Sequence, residues 1–248
     1  MRATYTFITG SSSGIGAATA KLLSEDRNVI IHGRDIQRLE AVAAACAEHG
    51  SAVRLFPYDL EQVDSLAKNF GAFLKDQGIQ VDSFVHCAGM TEVLPMKSTK
   101  YSIGLQVMQV NYFAAAEIIS TLLKKKINSD TLSSIVLFSS IVTRGGKKYQ
   151  PHYCASKGAI NALTYALACE LAPRVRVNAI APGSFKTRMV ATLFTGEPDD
   201  TTWAPPTLLP PGEVEDAANV VKFLLSQESR YLTGQILDVD GGEHFPKL

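Results

Sequence analysis

Short apolar runs alternate with amphipathic stretches along the whole chain, and this alternation restricts the fold more than any single residue. Tyr5–Thr9, Val29–His32, Ala52–Phe56, Ser83–Cys87, Ser134–Ser139, Arg176–Ile180 and Ile236–Val239 read as strands. Between them, Ile15–Ser24, Ile36–Glu48, Val63–Lys75, Ser102–Leu123, Tyr153–Leu171 and Val214–Ser226 carry apolar residues at helical spacing. A run such as Ile135–Phe138 is apolar on both faces and needs cover on both sides. The βαβα order supplies that cover. It predicts an α/β fold with a doubly wound parallel sheet of about seven strands and helices on both faces. The 248 residues, 46% of them hydrophobic, suit one domain over 1–248.

Charge and cysteine usage narrow the partners. Lys+Arg and Asp+Glu balance at 24 each, so no overall field points to nucleic acid or acidic lipid. Cys46, Cys87, Cys154 and Cys169 form no C-x-x-C pair and no metal-ligand spacing, so free thiols in a reducing compartment and no metal are expected. Cys154 adjoins Tyr153 but has no evident activating base. The amino terminus lacks a signal-like apolar region, and no run is long enough to span a bilayer. A soluble cytoplasmic protein is the expectation.

Thr9-Gly10-Ser11-Ser12-Ser13-Gly14-Ile15-Gly16 follows the first strand and opens the first helix. Glycines permit a tight turn, and free N–H groups at a helix start favour a diphosphate. This is the context of a Rossmann-type dinucleotide site, although the spacing is not G-x-G-x-x-G. The second strand ends His32-Gly33-Arg34-Asp35. An acid at that point takes a ribose 2′-hydroxyl, whereas the guanidinium of Arg34 suits a 2′-phosphate and favours NADP(H) over NAD(H). Asp35 is placed to cap the next helix.

Tyr153 and Lys157 stand four residues apart in a helical pattern and share a face. A nearby ammonium favours a phenolate, so the pair is a candidate acid/base with a lowered tyrosine pKa. Ser140 stands thirteen residues before the tyrosine.

Taken together, these segments resemble the short-chain dehydrogenase/reductase family from about Thr4 to Gly242. The family's Thr-Gly-x-x-x-Gly-x-Gly matches Thr9–Gly16, its Tyr-x-x-x-Lys matches Tyr153 and Lys157, and its active-site serine matches Ser140 and not Ser139. Its asparagine matches Asn111, its Pro-Gly-x-x-x-Thr matches Pro182, Gly183 and Thr187, and its Asp-Leu matches Asp59 and Leu60. The closing Leu232-Thr233-Gly234-Gln235 and Asp238-Val239-Asp240-Gly241-Gly242 also match. His86-Cys87-Ala88-Gly89 stands where the family usually has Asn-Asn-Ala-Gly. Loss of that amide implies a missing tie between strands and a local stability cost, with His86 a packed residue.

The resemblance implies hydride transfer between a nicotinamide and a carbonyl or secondary alcohol. Tyr153 is then the acid, and Lys157 lowers its pKa and holds the nicotinamide ribose. Ser140 binds the substrate oxygen, and Asn111 holds a water linking Lys157 to solvent. Gly10, Ser11, Ser12, Ser13, Gly14, Ile15 and Gly16 hold the diphosphate. Asp59, Leu60 and Val110 lie on the adenine side, Ala88 and Gly89 let the cofactor pass, and Pro182, Gly183 and Thr187 fix the nicotinamide amide. A 3-oxoacyl thioester, possibly carrier-bound, is the leading substrate; sugar, steroid or small-alcohol substrates are alternatives, as is a non-catalytic dinucleotide sensor. Lys124-Lys125-Lys126 with Arg174 and Arg176 either steer an acidic carrier beside the site or only neutralise helix ends. Residues 185–212, rich in proline and carrying Phe194, Trp203, Leu208 and Leu209, read either as a lid or as disorder. A homotetramer through the helices near Asn111–Lys126 and Tyr153–Ala172 is expected.

Overall fold

The computed structural model describes residues 3–187 and 207–245. Its strands are β1 (Thr4–Thr9), β2 (Val29–Gly33), β3 (Val53–Pro57), β4 (Gln80–His86), β5 (Ser134–Phe138), β6 (Arg176–Pro182) and β7 (Ile236–Val239). They form one parallel sheet in the order β3-β2-β1-β4-β5-β6-β7. The main helices are α1 (Gly14–Leu23), α2 (Ile36–Ala47), α3 (Val63–Gln77), α4 (Tyr101–Met108), α5 (Ala114–Leu122), α6 (Lys125–Asn128), α7 (Val142–Gly145), α8 (Pro151–Leu171) and α9 (Val214–Leu225). The predicted strands and helices are all present.

Alternation along the strands sorts side chains into two cores. Phe7 and Phe84 point to one face, where they meet Phe70 of α3, Ile118 of α5 and Ile160 of α8. Ile8 and Val85, one residue later, point to the other face with Ala20 of α1, Leu39 of α2 and Val221 of α9. All five residues of β5 are buried, as the apolar run required.

The long helix expected over Ser102–Leu123 is interrupted by a π-helical turn at Gln109–Phe113. One extra residue in that turn rotates α5 relative to α4, and Asn111 comes to lie fully buried within the turn.

Strand order reverses between β1 and β4, which opens a crevice at the carboxyl ends of the strands. The expected cationic patch lies at the opposite edge. Asn128, which follows the three lysines, bonds both backbone groups of Val81 at the start of β4, at 2.7 and 2.8 Å. Arg174 pairs with Asp130 at 2.7 Å, and Arg176 begins β6. Antiparallel to the strands, α5 and α8 both carry their carboxyl ends away from the crevice, so these cations do not sit beside it. Trp203 and Phe194 fall outside the described residues. Leu208 and Leu209 are exposed, whereas Phe185 is buried.

Candidate active site

A cavity of about 970 Å³ fills the crevice. Its floor is the glycine-rich turn. Gly10 has φ +66°, and a Cβ there would lie 2.7 Å from the Ala88 backbone; a Cβ on Gly16 would collide with the Gly10 carbonyl. Only glycine allows β1, β4 and α1 to close up this way. Ser13 takes the N-cap position of α1, yet its side chain caps nothing, which leaves the first turn open toward the cavity. Gly10, Ser12, Ser13, Gly14, Ile15 and Gly16 all line the cavity. Ser11 does not: its hydroxyl donates to the Ile8 and His32 carbonyls at 3.0 and 3.3 Å and accepts from His32 N at 2.8 Å. Ser11 therefore ties β1 to β2, and its expected cofactor role is corrected to a structural one.

Arg34, Asp59, Leu60, Ala88, Gly89 and Val110 line the same cavity. So does Arg38, one turn into α2, which the sequence reading missed; the i, i+4 spacing from Arg34 was its signal. Arg38 pairs with the N-cap Asp35 at 3.1 Å, and Arg34 leans on Glu61 at 3.5 Å. His32 was also missed. Its Nδ1 accepts from Gly10 N at 3.2 Å, which braces the turn.

At the far end, Ser140, Tyr153, Lys157, Pro182, Gly183 and Thr187 line the wall. Ser140 lies near enough to the Tyr153 phenol to favour its ionised form. Ser139 also lines the cavity, but its hydroxyl donates to Asn161 Oδ1 at 2.6 Å. Lys157 Nζ donates to the Phe138 carbonyl at 2.8 Å and lies 5.6 Å from the centre of the Tyr153 ring. A Cβ on Gly89 would stand 3.5 Å from Lys157 Nζ and 3.6 Å from Asn111 Oδ1. The Asn111 amide is fully engaged with protein: Oδ1 accepts from Met90 N at 2.8 Å, and Nδ2 donates to Met90 O and Ser156 Oγ, both at 2.9 Å.

The sequence model of a family described as enoyl-(acyl carrier protein) reductase matches residues 10–244. A short-chain type dehydrogenase/reductase from Mycobacterium ulcerans is 30% identical, with a TM-score of 0.84 over 98% of this chain and 90% of its own. The chain belongs to the short-chain dehydrogenase/reductase family. The 3-oxoacyl-(acyl-carrier-protein) reductase of Thermotoga maritima is 32% identical over 95% of each chain. Nodulation protein G of a Rhizobium species is 31% identical over 95% of this chain and 94% of its own. Carveol dehydrogenase from Mycobacterium avium, solved with NAD, shares the fold at a TM-score of 0.85 and 23% identity over 98% of each chain. This chain is thus an oxidoreductase of a family that works with a nicotinamide dinucleotide.

Electrostatics in this short-chain dehydrogenase/reductase differ from the sequence expectation. Burial holds Lys157 down at about 8, against an ordinary 10.5. The Tyr153 phenol is pushed up, first by burial and then by Cys154 and Glu92, against a lowering by Ser140. Desolvation is the leading influence on the phenol, so the expected lowering of the tyrosine is corrected. The Cys87 thiol is raised by burial and stays protonated, which makes it inert.

His86 also departs from expectation. Its Nδ1 lies 2.9 Å from Thr9 Oγ1 and its Nε2 3.2 Å from the Val110 carbonyl. The imidazole supplies the link among β1, β4 and the π turn that the missing asparagine was expected to leave open. Burial, together with Lys157, pushes it down to about 3, so it is a neutral packing group.

Proposed function

We propose that this oxidoreductase reduces a 3-oxoacyl thioester with NADPH. The observation that carries this reading is the placement of Ser140, Tyr153 and Lys157 on one wall of the cavity, with Lys157 Nζ 5.6 Å from the Tyr153 ring centre. Two hydroxyls on one wall suit an oxygen on which negative charge develops. The nicotinamide, when bound, supplies the hydride. Ser140 holds the carbonyl oxygen, Tyr153 gives its proton to the forming alkoxide, and the Lys157 ammonium favours the resulting phenolate and holds the ribose. Asn111 fixes the Met90 backbone against Ser156 and thereby keeps Gly89 close to Lys157. A water held by Asn111 would bind to backbone beside its occupied amide.

Gly10, Ser12, Ser13, Gly14, Ile15 and Gly16 take the diphosphate; Asp59, Leu60 and Val110 take the adenine side; Ala88, Gly89, Pro182, Gly183 and Thr187 take the nicotinamide side. Arg34 and Arg38 together receive a 2′-phosphate, since their exposed ion pairs with Glu61 and Asp35 cost little to rearrange. The likeness to the Thermotoga maritima reductase favours a 3-oxoacyl substrate, carried on a protein or on a smaller thiol.

Self-association is part of the reading. On α8, Ser156, Ile160, Thr164 and Ala168 face the sheet, while Ala155, Ala162, Tyr165 and Ala166 face outward. A stripe of small residues bearing an exposed tyrosine supports a helix-to-helix contact and a homotetramer, which light scattering tests. No helix among the described residues is long and apolar enough to cross a membrane. The free cysteines suit a reducing cytoplasm.

The direct assay follows NADPH and NADH oxidation with acetoacetyl and crotonyl thioesters. NADPH-selective turnover of the acetoacetyl compound is expected. Turnover of the crotonyl compound alone would replace carbonyl reduction with enoyl reduction.

A further inference from the structure

The connection from β4 to α4 crosses the start of α8 and holds it at several points. Leu94 N donates to the Tyr149 carbonyl at 2.8 Å, Gln150 Nε2 donates to Thr91 Oγ1 at 3.0 Å, and His152 Nε2 lies 3.2 Å from Thr99 Oγ1. At the centre stands Glu92, only 7% exposed. Its Oε1 accepts from His152 N at 2.7 Å and from Tyr153 N at 3.2 Å, and its Oε2 accepts from Tyr153 N at 3.1 Å. Met90, Thr91 and Val93 line the cavity, whereas Glu92 does not.

A buried carboxylate is costly unless hydrogen bonds and a positive field meet it. The start of a helix supplies both. Gln150, the residue at the N-cap of α8, makes no capping bond with its own side chain. Orphan N–H groups of the catalytic helix are thus satisfied by a residue sixty positions away. An ordinary cap at position 150 would serve stability alone. A carboxylate on the backbone of Tyr153 does more, because it brings a negative charge to the turn that carries the phenol.

We propose that Glu92 is a positioning residue whose carboxylate, bonded to the His152 and Tyr153 N–H groups, fixes the first turn of α8 under Tyr153 and sets a negative charge at the base of the acid. The inference rests on the reading of Tyr153 as the acid. The groups around that tyrosine are Ser140 from the end of β5, Lys157 from the next turn of α8, Cys154 beside it and Glu92 from the β4–α4 connection. Of the charged groups, Lys157 favours the phenolate and Glu92 opposes it.

The test uses Glu92→Gln, which keeps an acceptor and loses the charge, and Glu92→Ala, which loses both. pH profiles of kcat/KM for reduction are compared in the full-length protein with NADPH. In parallel, tyrosine ring-carbon NMR titrations of the NADPH-bound protein are recorded, with the Tyr153 resonance assigned through Tyr153→Phe. The expected result is a Tyr153 titration moved to lower pH in both variants. A further ~10-fold loss of kcat is expected in Glu92→Ala alone, with NADPH affinity unchanged. If Glu92→Ala does not fold, Glu92→Gln still decides the question of charge. A Tyr153 titration in Glu92→Gln at the wild-type pH, with only thermal stability reduced, overturns the proposal. Retained turnover in Tyr153→Phe instead sinks the acid reading, and the NMR result stands apart from it because it needs no substrate.

Discussion

Lys157 shows how a catalytic group is held at the expense of stability. Its ammonium is 4% exposed, with one carbonyl partner, and its pKa is about 8. An unfolded lysine keeps its proton to about 10.5. The unfolded chain therefore binds more protons between about 8 and 10.5, and stability rises with pH through that window. At neutral pH the charged side chain costs the fold about 3 kcal/mol at most. Lys157→Met should raise the thermal midpoint of the cofactor-free protein by a few degrees while abolishing turnover. A lowered midpoint in calorimetry would contradict this. At the other end of the cavity, Arg34→Ala with Arg38→Ala should raise the KM for NADPH by ~10-fold or more and leave that for NADH nearly unchanged. Steady-state kinetics with both cofactors check it.

Between elements, the buried imidazoles of His32 and His86 are the joints. They are held at about 4 and about 3, each chiefly by burial. The unfolded chain takes these protons near pH ~6.5, so stability falls as pH drops from there toward the folded values. His86→Asn should lose some stability at neutral pH and show a shallower acid decline, because one buried imidazole fewer has to be kept neutral. Urea unfolding across the pH range measures both. The strands and helices were legible in sequence because their periods of two and 3.6 repeat over many residues. The π turn at Gln109–Phe113 was not, since one inserted residue leaves the apolar spacing nearly unchanged. Glu92 and the tie made by His86 were not legible either. Glu92 meets His152 sixty positions on and His86 meets Thr9 seventy-seven positions back, and only the closed sheet brings them together.

At the scale of the whole molecule, one sheet gathers the ends of β1, β2, β4, β5 and β6 around a single crevice. Motifs spread from Gly10 to Thr187 meet there, which is why their order in the sequence carried so much of the site. Of the two readings of Lys124–Lys126, placement on the far side of the sheet leaves the neutralised helix end, since α5 runs against the strands; composition alone does not say which edge a helix end reaches. In the proposed reaction, Tyr153, on the cavity wall with Ser140 and Lys157, delivers the proton when hydride reaches the carbonyl. The decisive experiment is single-turnover reduction by Tyr153→Phe with NADPH already bound, alongside the affinity for NADPH. Affinity close to wild type and a rate lower by ~10³-fold or more are expected. A variant that binds NADPH and still turns over at a rate near that of the wild type would refute this role for Tyr153.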